Sequence, residues 1–257
     1  MGAKCCAESA QADVPTGVVK LEDLPAVNIE GITDRLQRLE LSLPFTRTLI
    51  SVFEDKLNKA HADCGDDGYI TLKALRTHLD SAAWAPIADP SSNLTKMLLS
   101  ASFKADGQEA DQIDFNYILM FALIHCAGKP IDKARTFYAI LQDGGLEAHT
   151  QISATDKDFE PTFYKMCSFV TKDIVQMGVL TEEFSNMYTD DEFEKLESND
   201  ALEIVKEDQW LEEVYGAQSR LDNDEWLSKV QKDGNWIFDA KELRKRLFAA
   251  AEVEYKN

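Results

Sequence analysis

The sequence predicts an all-α protein whose paired helix–loop–helix units form two lobes, with two-residue β-ribbons between the loops. Three observations carry that expectation. Apolar residues recur at helical spacing almost without interruption from Gly31 onward. Strand signals are confined to pieces such as "YIT" at 69–71 and "WIF" at 236–238. Acidic or glycine-bearing loops recur between helices, each with an aliphatic residue shortly before a helix resumes.

Residues 1–30 read as a flexible tail, 31–130 as a first lobe and 131–257 as a second. In "ITDRLQRLELSL", Ile32, Leu36 and Leu39 share a face, and Asp34 and Arg38 stand at the spacing of a surface pair. "PFTRTLISVFEDKLNKA" opens with Pro44 in a first turn and places Phe45, Leu49, Phe53 and Leu57 on one stripe. Further helices are expected over 94–104, 115–127, 132–142 and 161–176. The last third adds 181–187, 191–196, 201–215, 222–230 and 240–254. Linkers fall at 12–30, at 83–92 and around Gly178 and Ser198.

Composition sets limits on function. With 44% hydrophobic and 28% charged residues, a chain of 257 residues can bury one large core or two small ones. A net charge of -19 opposes binding to nucleic-acid phosphates and suits cations or basic partner segments. Cys64, Cys126 and Cys167 lie far apart and read as free packing thiols of a reducing compartment. The most apolar run, 117–126, is about half the ~20 residues a bilayer span needs. The expected location is the cytoplasm. The start "MGAKCC" adds a route to a membrane: Gly2 is placed for myristate, and Cys5 and Cys6 for palmitate. Two chains would anchor the protein on a cytoplasmic membrane face or in a cilium or flagellum, where one holds only marginally. Cys6 occupies the sixth position, where the usual myristoylation pattern has Ser or Thr.

The loops carry the chemistry. A calcium loop takes oxygens at positions 1, 3, 5, 7, 9 and 12, with glycine at 6 and a bidentate glutamate at 12. In "DCGDDGYITLKA", setting Ile70 at position 8 makes Asp63, Gly65, Asp67, the Tyr69 carbonyl and Thr71 the first five ligand positions. Gly68 then fills the turn, and Ala74 stands where glutamate belongs. The incoming stripe of Phe53, Leu57 and Ala60 also suits a longer loop starting at His61. In "DGQEADQIDFNY", Ile113 at position 8 puts Asp106, Gln108, Ala110 and Asp114 at 1, 3, 5 and 9. Asp111 takes the glycine slot and Tyr117 the last position. A third loop around Ile152 offers Gly145, Glu147, His149 and Asp156. A fourth, "QKDGNWIFDAKE", echoes the first in its aromatic–Ile pair and following L-R-x-x-L helix. With Glu242 at position 12 its ligands are Gln231, Asp233, Asn235, the Ile237 carbonyl and Asp239, and Trp236 takes the glycine slot. With Ile237 at position 8, Lys241 takes the last position and no cation is held.

Over roughly residues 45–250 the chain resembles a divergent, multi-hand, calmodulin-like member of the EF-hand superfamily. The likeness rests on repeated helix–loop–helix spacing and the half-loop at 63–71. It implies loops paired through their position-8 residues, Ile70 with Ile113 and Ile152 with Ile237. It also implies calcium as the cofactor and a helical or basic segment of a protein partner as the target. Without a bidentate glutamate in the first loop, calcium binding should be weak or absent.

His61, His78, His125 and His149 are scattered without metal spacing, and no nucleophile stands with a base, so no enzyme is expected. Trp84, Trp210, Trp226 and Trp236 read as core or groove anchors. Two function classes remain. One is an adaptor or scaffold on a membrane, cytoskeletal or axonemal assembly that uses the fold for its shape. The other is a calcium sensor or buffer with one or two working sites, attached to a membrane by acylation.

Overall fold

The computed structural model describes residue 24 and residues 28–65, 68–142, 151–153, 159–179, 184 and 187–256. These are mostly helical. Helix α1 (Arg35–Ser42) is capped by Asp34, whose carboxylate accepts the Gln37 N–H. Asp34 was expected on the surface opposite Arg38; it is instead buried, and its second oxygen accepts the Tyr255 hydroxyl at 2.7 Å.

The helix expected to start at Pro44 is split. A 3-10 turn (Pro44–Arg47) gives way to extended Thr48 and Leu49 before α2 (Ile50–Ala62) begins. Backbone bonds explain the break: Ala127 N–H donates to the Thr48 carbonyl, and Ile50 N–H to the Ala127 carbonyl. The Thr48 hydroxyl, donating to the Pro44 carbonyl, also accepts from the Trp84 indole. Competing local and cross-chain bonds thus satisfy groups that a continuous helix would have used.

Strand β1 (Tyr69–Thr71) leads directly into α3 (Leu72–His78). The stretch expected as a linker at 83–92 is largely a 3-10 helix (Ala82–Ala88), which buries Trp84 and Ile87. Helix α4 (Asn93–Leu98) follows, and β2 (Gln112–Asp114) leads into α5 (Phe115–His125). Helix α5 is apolar all round and buries every residue from Ile118 to His125, as a helix packed on several sides must. It packs against α2 and against two later helices, α6 (Pro130–Gln142) and α7 (Phe159–Ser168).

Between α6 and α7 lies β3 (Gln151–Ser153). Helix α7 continues through a π-helical stretch (Phe169–Asp173) into α8 (Ile174–Val179). Gly178, expected in a linker, is inside α8. A Cβ there would stand 2.1 Å from Phe184 Cδ2, so the aromatic ring lies where only glycine leaves room. The expected helix at 181–187 lies mostly outside the described residues. Helix α9 (Asp190–Leu196) opens with a Thr189–Glu192 capping box. Helix α10 (Asn199–Glu203) then runs through another π-helical stretch (Ile204–Leu211) into α11 (Glu212–Tyr215). Strand β4 (Arg220–Asp222), α12 (Asn223–Lys232), a 3-10 turn (Asn235–Phe238) and α13 (Ala240–Ala250) complete the order.

Two antiparallel ribbons tie helix–strand–helix segments together in pairs. In the first, β1 lies on β2 with Ile70 opposite Ile113, as the loop register predicts. In the second, β3 pairs with β4, and Ile152 faces Leu221 rather than Ile237. Ile237 lies in the 3-10 turn, where Trp236, Ile237 and Phe238 are all buried. "WIF" is therefore a core-anchoring turn, while "RLD", unmarked in the sequence reading, is the strand.

One apolar cluster runs through both halves of the described chain. Phe45, Phe53, Trp84, Phe103 and Phe121 form linked ring contacts in the first part, and Phe103 meets Phe169 of the second. Phe137, Phe159, Trp210, Trp226 and Phe238 form linked ring contacts within the second. All four tryptophans are buried, and each indole N–H donates: to Thr48, the Gly234 carbonyl, Tyr215 and Glu213.

Candidate functional site

The candidate site is the pair of loops leading into the first ribbon. In loop 1, α2 ends at Asp63, and Gly65 and Gly68 carry φ of 89° and 75°, the left-handed region that glycine supplies. Gly68 is the residue placed at the glycine position of a calcium loop. Thr71 follows at the end of β1, where its hydroxyl caps α3 by accepting the Ala74 N–H at 3.2 Å. The Thr71 N–H donates to Cys64 Sγ at 3.3 Å. The Asp63 carboxylate meets His78 Nε2 at 2.8 Å. His78 is one helical turn beyond Ala74, so an imidazole reaches the first-position carboxylate that a last-position glutamate would have faced across an ion. Ala74 itself is buried in the apolar cluster. Asp67 lies outside the described residues, as do Gly2, Cys5 and Cys6.

Loop 2 closes differently. Lys104 sends its ammonium to the Glu109 and Ala110 carbonyls at 2.8 and 2.6 Å. Gln108 spans the loop, accepting the Ala105 N–H and donating to Asp114 Oδ2 at 3.4 Å. Asp114 Oδ1 caps α5 by accepting the Tyr117 N–H. Burial raises the Asp114 pKa above its ordinary value, against the lowering effect of these hydrogen bonds. Asp111, assigned to the glycine position, does not share the left-handed backbone of Gly68: Glu252 is the one positive-φ residue other than glycine among those described.

The ligand set expected at 231–242, five side chains and the Ile237 carbonyl, is spread over a helix end, a turn and a helix start. Asp233 caps the end of α12, 3.8 Å from Lys232. The Asn235 amide donates to the Gln231 carbonyl at 2.6 Å. Asp239 caps α13 by accepting the Glu242 N–H at 3.0 Å. The Ile237 carbonyl belongs to the 3-10 turn, and Glu242 lies 3.5 Å from Lys245. Trp236, packed at 3.9 Å beneath Arg246, holds the glycine position without positive φ. Among the described residues no three His, Cys, Asp or Glu side chains gather closely enough to hold an ion. The placed candidates Asp63, Thr71, Asp114 and Asp239 each bond a protein partner: the His78 ring and the Ala74, Tyr117 and Glu242 N–H groups.

Sequence reasoning missed four features. His78 and Lys104 stand outside the ligand positions and had no signal in the loop template. The strand at 220–222 did have one: Asp222 and Glu225 form a capping box, the sign of a helix start directly behind an aliphatic Leu221. The largest omission is a buried ion pair. Arg244 donates to both Glu40 oxygens at 2.7 and 2.8 Å, to the Val170 carbonyl at 2.9 Å and to the Tyr255 hydroxyl at 3.1 Å. Burial raises the Glu40 pKa despite the guanidinium. For Arg244, burial pulls the pKa down, but the Glu40 carboxylate outweighs it and keeps the side chain charged.

Family models, curated proteins and solved structures all gave no match. Among the described residues, no helix is long and apolar enough to cross a membrane.

Proposed function

We propose that the chain is an adaptor of the EF-hand kind, with lobes over 31–130 and 131–257, that binds a protein partner and needs little or no calcium to keep its shape. The observation that carries this reading is the closure of the first loop pair by the protein's own groups. Lys104 supplies a cation to loop carbonyls, and His78 occupies the leading carboxylate. A loop already bridged by protein donors gains less from an ion, because those contacts must be exchanged for it. The net charge of -19 favours a basic or helical segment of a partner protein. Acylation at Gly2, Cys5 and Cys6 would place the adaptor on a membrane surface or in a cilium. No catalytic step is assigned.

A second reading, a calcium sensor or buffer, draws on the left-handed Gly68 and the Ile70–Ile113 register, both of which a working loop requires. Isothermal titration of calcium into the full chain separates the two. Saturable heat at micromolar calcium would establish the sensor; no heat below the millimolar range supports the adaptor.

A further inference from the structure

An apolar cavity of about 210 Å³ opens between α1, the Pro44–Arg47 turn, α4 and α8, lined by Leu39, Leu43, Pro44, Leu94, Met97 and Met177 with Arg47 in its wall. It is smaller than the ~300–1,000 Å³ typical of sites for small organic ligands, a size suited to a few aliphatic side chains. The chain itself approaches it. Leu24 N–H donates to the Arg47 carbonyl at 2.8 Å, pinning the point from which the preceding 23 residues extend.

We propose that residues 18–21 of this same chain, "VVKL", dock in that cavity. Val18, Val19 and Leu21 are the first bulky aliphatic side chains upstream of Leu24. At no more than ~3.6 Å per residue, Leu21 reaches about 11 Å from Leu24 and Val18 about 22 Å, so both reach a cavity that begins at Arg47. Between them and Leu24 the sequence has Glu22 and Asp23, two carboxylates whose charge complements the Arg47 guanidinium in the cavity wall. Docking covers apolar surface on α1, α4 and α8 and fixes where the start of the chain leaves the protein. A lipid on Gly2, where present, is then held at a set distance from the helical body.

The test uses the full chain with ¹³C-labelled Met, Val and Leu methyl groups. The expected result is a set of nuclear Overhauser contacts from the Met97 or Met177 methyl to Val18, Val19 or Leu21. The double substitution Val18→Asp/Leu21→Asp should abolish them and move the Met97 and Met177 resonances. Met120 and Met166, buried outside the cavity, should stay in place and report an intact fold. Absence of these contacts in the unsubstituted chain, with Met97 and Met177 unmoved by the double substitution, overturns the proposal. Two other outcomes also overturn it. One is acylated protein in which only Gly2→Ala moves the two methyls, which puts a lipid in the cavity. The other is contacts that fade on dilution, which put a second copy there.

Discussion

Substituting Arg244 with Met should be among the most damaging single changes in this chain. The guanidinium is fully buried, and it joins α1 through Glu40, the π-helical stretch through the Val170 carbonyl and the chain end through Tyr255. Methionine fills much of the volume but leaves a buried carboxylate unpaired. Breaking one side of such a pair costs about 3–5 kcal/mol, against a total stability of order 5–15 kcal/mol. The loss should depend on pH. Burial already raises the Glu40 pKa, and removing the guanidinium raises it further. The folded state then binds a proton that the unfolded state releases above its ordinary value of 4.5, so stability falls as pH rises through that window. Urea unfolding followed by tryptophan fluorescence should therefore show a larger deficit at pH 7.5 than at pH 5. Adding Glu40→Leu to Arg244→Met removes the stranded charge and should recover most of the loss. A deficit below about 1 kcal/mol for Arg244→Met at pH 7.5, or no recovery in the double variant, would refute the reasoning.

Other consequences are more local. Burial lowers the Lys133 pKa from 10.5 to about 8, and its ammonium donates to the Ile124 and Phe238 carbonyls. Because the unfolded state binds more protons between these values, stability should rise from pH 8 towards pH 10, by at most about 3 kcal/mol, and Lys133→Met should flatten that rise in urea unfolding. Lys104→Ala should cost about 1 kcal/mol and speed amide hydrogen exchange at residues 112–114, with little change at residues 220–222. Gly178→Ala should lower stability by about 1–3 kcal/mol, because the Phe184 ring must move to admit the new methyl; an unchanged unfolding midpoint would contradict the packing described.

The sequence was most legible where local physics decides the outcome. Periodicity located the helical stretches, and an aliphatic residue ahead of a capped helix placed Ile70 opposite Ile113. The same rule misplaced the partner of Ile152, because "WIF" has strong β-formers whose burial here comes from tertiary packing. Trp236 lies under Arg246, and Phe238 meets the Phe137 ring at 5.5 Å. The weaker-looking "RLD" pairs because its capping box starts a helix directly behind it. The split at Thr48 follows from Ala127, 79 positions further along the chain, and no local signal could reveal it. Glu40 and Arg244 are 204 residues apart, and each alone reads as an ordinary surface charge on an amphipathic helix. In the candidate loops the template exposed the missing glutamate at Ala74, but His78 and Lys104 act from outside the ligand positions and become visible only once the loops are folded.

Thermal unfolding in 1 mM calcium against excess chelator shows whether these loops stand closed without calcium. A site with millimolar affinity would add about 0.4 kcal/mol, and none would add nothing, so Tm should rise by no more than about 2 °C. A micromolar site would add about 4 kcal/mol and raise Tm by roughly 8–16 °C. A shift of that size would rule out the adaptor and make the chain a calcium sensor.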